Sequence, residues 1–599
     1  MILKNKTNKE PSLFSNIFYF IRILFKISPL LVIGEALWGI MLRLPTRLVS
    51  VIGVKYVIDN AGTDGGAKNI VTAIIVIALV LLISELLCWL FREFYWNMEK
   101  EKVNQGLSSM LYNKAKDMDL EAYDDPNFYN NFILAVESSS GNLNNMLNLI
   151  RQFMGEVVSL ITICSLILAI DPWCLVIILI TVAVFTPIST KIGNLQLERR
   201  VENNRLHRRA DYFARVFYLQ DYAKEVRMNR IKPLLIKRYN EAADDVIDCQ
   251  RKYVKKIDIL YFIQETGVQI VGFMLVLPLY LGWCALEAKT ISSGDFVAAF
   301  NGAWAIAASF SFLTVHISRN FSEQSKIIYK VREFLGRENK LADGDDVAEI
   351  SAPEKIELKN VSFTYPNNTE PTLKNINLTL NPYEKIALVG YNGAGKTTLT
   401  NLLLRLYDAT EGEILIGGKD IKSVTLKSHR NRFAAVFQDF QLFAASLAEN
   451  VALDTEYEER EIQQALFHSG FDKPLKNGVQ TEVLREFDDS GMMFSGGEAQ
   501  KITVARAFYK NCPYVIMDEP SANLDPVAEY NLNKSMTEVA KDKTVIFISH
   551  RLSTTRHADK IYVMEHGEIV ESGNHDELMK QGGKYAYMFN LQAEKYRNE

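Results

Sequence analysis

Residues 69–90 read NIVTAIIVIALVLLISELLCWL, an apolar run broken by a single acid, Glu85. About 20 apolar residues in a helix match a hydrocarbon core of roughly 30 Å, so this run predicts a membrane span. Five more such stretches precede residue 335, and the six predicted spans cover roughly 27–50, 70–92, 148–170, 173–194, 259–286 and 295–317. The first follows Lys4, Lys6 and Lys9 as a signal peptide does, but Arg43 and Arg47 interrupt it and no small-residue cleavage site follows. It reads as an uncleaved span. Beyond about residue 355 the pattern changes to short strands, glycine turns and amphipathic helices. A chain of 599 residues is too long for one core. The expectation is therefore an all-α six-helix transmembrane domain at 1–335, a linker at 336–354, and an α/β domain at 355–599.

Loop charge sets the orientation. The connection between the fourth and fifth spans carries many basic residues, from Arg199 and Arg200 to Lys255 and Lys256, whereas the loops near 58–69, 171–172 and 286–292 hold only Lys68 and Lys289. Basic loops stay inside, which puts both termini and both long connections, of about 50 and 65 residues, in the cytoplasm. The second span is expected to continue as helix through 98–118 and then turn at Tyr123-Asp124-Asp125-Pro126, with Phe128 and Tyr129 as contact residues. The fourth is expected to continue through 195–239, with Pro233 as a break or kink.

A charge inside a span costs roughly 2.5–3.5 kcal/mol on insertion scales and needs a reason. Glu35, Arg43, Arg47, Glu85, Glu156 and Glu265 qualify, with His316 and Arg319 near the end of the sixth span. Two readings stand side by side. These residues pair between helices or reach for water at span ends, or some of them line a polar cavity for a charged or amphipathic cargo. On the second reading Glu35, Arg43, Glu85 and Glu265 mark the cargo path. A net charge of −4 with no compact basic domain gives no reason to expect a nucleic-acid partner. The six cysteines show no metal-ligand spacing and predict free thiols.

In the second half, the strand-like run 385–389 leads directly into GYNGAGKTT, Gly390 to Thr398, and then an apolar helix at 399–407. This is a phosphate loop. Gly390, Gly393 and Gly395 let the backbone curl so that its N–H groups, with that of Asn392, point at phosphate oxygens, and the helix N-terminus adds a favourable dipole. Lys396 reaches the β- and γ-phosphates of ATP, Thr397 offers its hydroxyl to Mg²⁺, and Thr398 completes the loop. A second apolar run, 513–517, ends in Asp518 and Glu519, as a buried strand delivering carboxylates to its C-terminal edge should. Asp518 is expected to hold Mg²⁺ through water and Glu519 to orient or deprotonate the attacking water. Phe494-Ser495-Gly496-Gly497-Glu498 opens another helix, either as an anion-binding device or as an ordinary cap.

Taken together these motifs resemble the ATP-binding cassette (ABC) family, and the resemblance covers nearly the whole chain. It implies a Mg²⁺-dependent ATPase coupled to transport. It also implies that Tyr365 stacks on adenine, that Gln438 contacts Mg²⁺ and couples to the membrane domain, and that His550 is the switch histidine at the γ-phosphate. Ser495, Gly496, Gly497 and Glu498 resemble the signature that clasps ATP held by a partner subunit, and the segment from Ser521 to Asp525 resembles the loop that communicates across the dimer. Two departures stand out: the signature reads FSGGE rather than LSGGQ, and TEVLREFDDSG at 481–491 is longer than the usual TEVGERG.

The resemblance further implies a dimer, formed with a second copy or with a homologous half-transporter. It places the chain in the cytoplasmic (inner) membrane as a multi-pass exporter that works by alternating access among membrane lipids. The soluble half is similar to bacterial peptide exporters of the lantibiotic type, so a peptide is the expected cargo. The alternatives are a multidrug or lipid exporter carrying an amphipathic small molecule, or the competent half of a heterodimer. With about 26 residues ahead of the first span, a leader-bearing cargo is expected to be cut by another protein.

Overall fold

The computed structural model describes residues 12–313, 318–349, 352–366, 368–520, 541–549 and 558–597, with isolated positions 529, 534, 555 and 556. They fall into two compact units: Met1–Asp117 with Asn130–Arg337, and Met118–Tyr129 with Glu338–Glu599. The short segment Met118–Tyr129 therefore groups with the C-terminal unit.

The first unit is helical, and its helix starts follow local chemistry. The Ser12 hydroxyl caps α1 (Leu13–Ile27) by accepting from the Ser15 N–H. Ser28 ends α1 and starts α2 (Pro29–Asn60) by accepting from the Leu31 N–H, with Pro29 in the first turn, where a missing N–H is tolerated. Next come α3 (Gly66–Lys116), α4 (Pro126–Ile170) and α5 (Pro172–Tyr218); the Asp171 carboxylate accepts from the Trp173 N–H to cap α5. After α6 (Gln220–Met228), α7 (Lys232–Gln264) continues helically through Glu265–Val276 and Leu277–Leu286. A reciprocal Ser292–Asp295 capping box opens α8 (Ser293–Ser311), and α9 (Ser318–Leu335) closes the unit.

Among the described residues, four helices are long and apolar enough to cross a membrane: α2, α3, Leu143–Ile170 within α4, and α5. The fifth and sixth predicted spans fall on the shorter apolar helix Ile270–Leu286 and on α8. The second span does continue as one helix to Lys116. The fourth ends earlier than the sequence suggested. The helix stops at Tyr218, Leu219 is extended, and Pro233 sits in the first turn of α7 rather than kinking a continuous helix.

Two glycines set the crossing of α2 and α4. A Cβ on Gly39 would lie 1.9 Å from the Arg151 carbonyl oxygen, and one on Gly155 would lie 2.4 Å from that of Gly39. The backbones touch there, as small residues permit between spans. Ion pairs flank the contact on both sides, Glu35 with Arg151 at 3.5 Å and Arg43 with Glu156 at 3.2 Å. A second core joins Ile163 and Ile167 of α4, Cys174 and Ile178 of α5, Leu277 and Leu281, and Ala299, Ala303 and Ile306 of α8.

Among the described residues, the C-terminal unit holds two sheets. Strands β1 (Ile356–Phe363), β2 (Leu373–Leu380), β4 (Glu411–Ile416) and β5 (Lys419–Asp420) form an antiparallel sheet in the order β2-β1-β4-β5. The other sheet runs β10-β9-β3-β8-β7-β6, with β3 (Lys385–Val389), β6 (Phe433–Val436), β7 (Tyr514–Asp518), β8 (Thr544–Ile548) and β9 (Lys560–Glu565) parallel and β10 (Glu568–Gly573) antiparallel at the edge. Every residue of β7 is buried, as a central parallel strand requires. Two further helices carry the site: α10 (Lys396–Leu403) after β3, and α11 (Gly496–Lys510) before β7.

Candidate ATP-hydrolysing site

The carboxyl ends of β3 and β7 meet at the site, where a parallel sheet binds its ligands. β3 feeds the loop that begins at Gly390 and ends at Gly395, the residue before α10. Gly395 has φ of 99°, and a Cβ there would lie 2.6 Å from Leu373 Cδ2. A Cβ on Gly390 would lie 2.3 Å from the Met564 carbonyl oxygen. Neither position has room for a side chain, so the loop stays curled with backbone groups on its inner side. Asn392 and Gly393 lie on the exposed crest of the loop.

Lys396 is buried, and its ammonium group donates to the carbonyl oxygens of Gly390 at 2.8 Å and Tyr391 at 3.1 Å. Burial lowers its pKa, while the nearby acids Glu519 and Asp518 act in the opposite direction. One residue on, the Thr397 hydroxyl donates to Asp518 Oδ2 at 2.9 Å. Asp518 is the last residue of β7 and is only 3% exposed. A hydroxyl and a carboxylate side by side are the hard oxygen donors Mg²⁺ takes, and they leave the remaining positions for phosphate and water. The residues present therefore fit the ion.

Glu519 follows in the left-handed region, with φ of 50°. For a non-glycine residue that conformation costs roughly 1–2 kcal/mol, and the surroundings hold it in place. Its N–H donates to the Ile548 carbonyl oxygen on β8, and the buried Gln500 of α11 donates to its carbonyl oxygen at 3.0 Å. Gln438 then donates to Glu519 Oε2 at 3.0 Å. The three acidic and amide groups predicted from sequence, Gln438, Asp518 and Glu519, are thus brought together with Thr397. Gln500 was not foreseen. Its position inside the signature helix offered no signal that the side chain reaches back to β7.

Tyr365 lies beside the loop, half-buried, with its hydroxyl 3.2 Å from Thr398 Oγ1 and its ring edge against Phe363 and Tyr407. Ser495 is the N-cap of α11. Its hydroxyl accepts from the Glu498 N–H, and its own N–H donates to Glu498 Oε2 at 2.8 Å. Lys473 adds an ion pair to Glu498 at 2.9 Å. Burial raises the Glu498 pKa, but the bonds from Ser495 and Lys473 outweigh it and hold the carboxyl below its usual range. An acid at this signature position thus closes a capping box that leaves Gly496 and Gly497 in the first turn. His550 and the segment from Ser521 to Asp525 lie outside the described residues.

The structure separates the four cargo-path candidates. Glu35 is fully buried, held by Arg151 and by the Trp96 indole N–H, while Arg151 also lies over the Trp38 ring at 4.0 Å. Arg43 pairs with Glu156, which also accepts from the Ser309 hydroxyl at 2.7 Å. Glu85 is exposed on α3, and Glu265 lies on the helical course that continues α7. Arg151, the partner that keeps Glu35 buried, was not among the charges singled out from sequence.

Residues 373–522 match the family model described as ABC transporter. The subtilin transport ATP-binding protein SpaT of Bacillus subtilis is 28% identical over 513 residues, which covers 84% of this chain and 82% of that protein. The ATP-dependent lipid A-core flippase of Yersinia pestis is 33% identical over 358 residues, 59% of this chain, and that of Escherichia coli K12 is 32% identical over 336 residues, 55% of it. These two alignments span 60% and 57% of the flippases' own length. Among solved structures, a bacterial Atm1-family ABC exporter with ATP bound superposes with a TM-score of 0.75 at 22% identity, covering 97% of this chain and 98% of that one. Residues 373–522 thus form an ABC transporter ATP-binding domain, and the chain as a whole has the fold of an ABC exporter.

Proposed function

We propose that this exporter-type ABC transporter chain couples ATP hydrolysis at the Thr397–Asp518–Glu519–Gln438 cluster to export of a substrate across the cytoplasmic membrane, as half of a dimer. The observation that carries the reading is the convergence of those four side chains at the sheet edge, in a chain that also holds apolar helices long enough to span a bilayer.

Mg²⁺, when bound, neutralises charge on the phosphates of ATP. Thr397 and Asp518 would hold it, and the Gln438 amide fixes the Glu519 carboxylate so that it can orient water and take its proton. Lys396, released from the Gly390 and Tyr391 carbonyls, reaches phosphate oxygens. Ser495 and the first turn of α11 would serve the site of a second copy, so two chains complete two sites. Closure of the pair on ATP and its release after hydrolysis would drive alternating access.

A peptide is the favoured cargo, because similarity to the subtilin transport protein extends over most of both chains. The lipid A-core flippases support a lipid as the second reading. With Glu35 and Arg43 committed to Arg151 and Glu156, Glu85 is an exposed acid among the described residues that is open to an amphipathic cation. Proteoliposomes with the ATP site outward, supplied from outside with a labelled cationic amphipathic peptide or, separately, carrying a labelled phospholipid in the outer leaflet, distinguish the two. ATP-dependent uptake of the peptide that Glu85→Gln slows supports the peptide reading. Movement of the phospholipid alone supports the lipid reading, and movement of neither contradicts both.

A further inference from the structure

Two arginines stand one turn apart inside α2, Arg43 and Arg47. At about 1.5 Å per residue, Arg47 lies roughly 27 Å along the helix from Pro29 and roughly 20 Å from Asn60, deep in the span. It is half-buried, on the same face as Arg43. Arg43 pairs with Glu156 yet keeps 43% of its side chain exposed. The Arg47 guanidinium makes no hydrogen bond or ion pair among the described residues.

The acids packed around it are already engaged. Among the described side chains of α2, α4 and α8, Glu35 pairs with Arg151, and Glu156 holds Arg43 and the Ser309 hydroxyl. Asp59 accepts from the Ser292 hydroxyl and the Gly294 N–H, and Asp295 pairs with Lys55. Glu85 of α3 is exposed and makes no ion pair with Arg47. One positive charge is therefore left uncancelled in the middle of the span. The backbone around it is irregular as well. Pro45 sits between the two arginines and withholds an N–H, and a π-helical turn, Val49–Gly53, follows, a form that recurs at functional sites. Ser50, in that turn, donates its hydroxyl to the Arg47 carbonyl oxygen at 2.8 Å, and its own carbonyl accepts from Asn301 of α8 at 3.0 Å. The patch around Arg47 is thus polar and contains no free acid among the described residues.

A charge at that depth faces the bundle interior or a water-filled cavity and needs a partner. We propose that Arg47 holds one oxyanion of the transported molecule, a peptide carboxylate or a lipid phosphate, with the half-exposed Arg43 as a second donor. The inference rests on the export reading and adds to it a chemical demand on the cargo. A guanidinium suits the task, because its planar fork meets two oxygens of a carboxylate or phosphate at once.

The test compares matched probes on the full chain in nanodiscs of phosphatidylcholine, with binding read by fluorescence anisotropy against empty nanodiscs. One pair is a labelled cationic amphipathic peptide with a free C-terminal carboxylate and the same peptide as its C-terminal amide. The other is labelled short-chain phosphatidylglycerol and labelled short-chain phosphatidylcholine, whose choline balances the phosphate. The wild-type chain is expected to prefer the anion-bearing member of at least one pair by about tenfold or more. Preference within the peptide pair assigns the oxyanion to a carboxylate, and preference within the lipid pair assigns it to a phosphate. Arg47→Gln is expected to bring the ratio to within about twofold of unity, while Arg47→Lys, which keeps the cation, retains at least about threefold. Each ratio is taken within one variant, so a general loss of affinity or transport leaves it readable. No preference in either pair, a preference that survives Arg47→Gln, or equal losses in the glutamine and lysine variants would each overturn the proposal. A preference that Arg47→Gln abolishes, without ATP-dependent uptake of the bound probe into proteoliposomes, would support the anion site and contradict the export reading instead.

Discussion

Glu519→Gln lowers ATP turnover by a factor of about 10²–10⁴ while nucleotide binding survives. The substitution keeps the side-chain volume and an acceptor oxygen for the Gln438 amide, but it removes the charge and the ability to take a proton. The rest of the site is untouched. Thr397 and Asp518 remain paired at 2.9 Å, Lys396 keeps its position, and the strained backbone at 519 is still held by Ile548 and Gln500. Steady-state turnover measured beside equilibrium binding of a fluorescent ATP analogue separates the two effects. Turnover that falls less than about tenfold would mean that another group accepts the proton.

Arg405→Met destabilises the C-terminal unit by about 3–5 kcal/mol. Arg405 is fully buried and donates to three carbonyl oxygens, those of Ile421 at 3.0 Å, Val424 at 2.7 Å and Ala342 at 2.7 Å, besides its pair with Asp408 at 3.2 Å. Methionine fills much of the space and satisfies none of them. The Val424 and Ala342 carbonyls then lose this donor, while Ile421 keeps the Val424 N–H at 3.4 Å, and a buried carbonyl left without a donor retains its desolvation cost. The sequence supplies a clean reporter. All the tryptophans precede residue 338, so indole fluorescence follows the first unit, whereas Cys512 is the only cysteine after that point and is 2% exposed. Pulsed alkylation of Cys512 across a urea series should show its midpoint fall by about 1–2 M. A shift under about 0.3 M would show that the carbonyls find other donors.

The elements that could be read from sequence are those whose chemistry is local. The phosphate loop requires glycines where no Cβ fits, and Gly390 and Gly395 are such positions. Asp518 and Glu519 end a strand, so strand and acids are adjacent in the chain. The turn at Asp124-Asp125-Pro126 likewise carries its own signal. What remained hidden depends on long-range contact. Gln500 reaches Glu519, Tyr407 reaches Asp124 across 283 positions, and Arg151 neutralises Glu35 across a helix crossing. Periodicity also overran a boundary. Helical spacing continues on both sides of Leu219, and no glycine or proline marks the extended residue there, so α5 and the helices after it read as one.

The central claim is that each ATP site is built from two chains, and mixed dimers test it most directly. Chains carrying Lys396→Ala lose the phosphate-loop cation, and chains carrying Ser495→Arg lose the cap that opens α11. Each is purified with a different tag, and dimers carrying both tags are isolated in nanodiscs and incubated with labelled ATP and vanadate. A mixed dimer pairs the intact phosphate loop of one chain with the intact α11 start of the other, so it should trap nucleotide where neither parent dimer does. Mixed dimers that trap no more than the parents would contradict a site shared between copies.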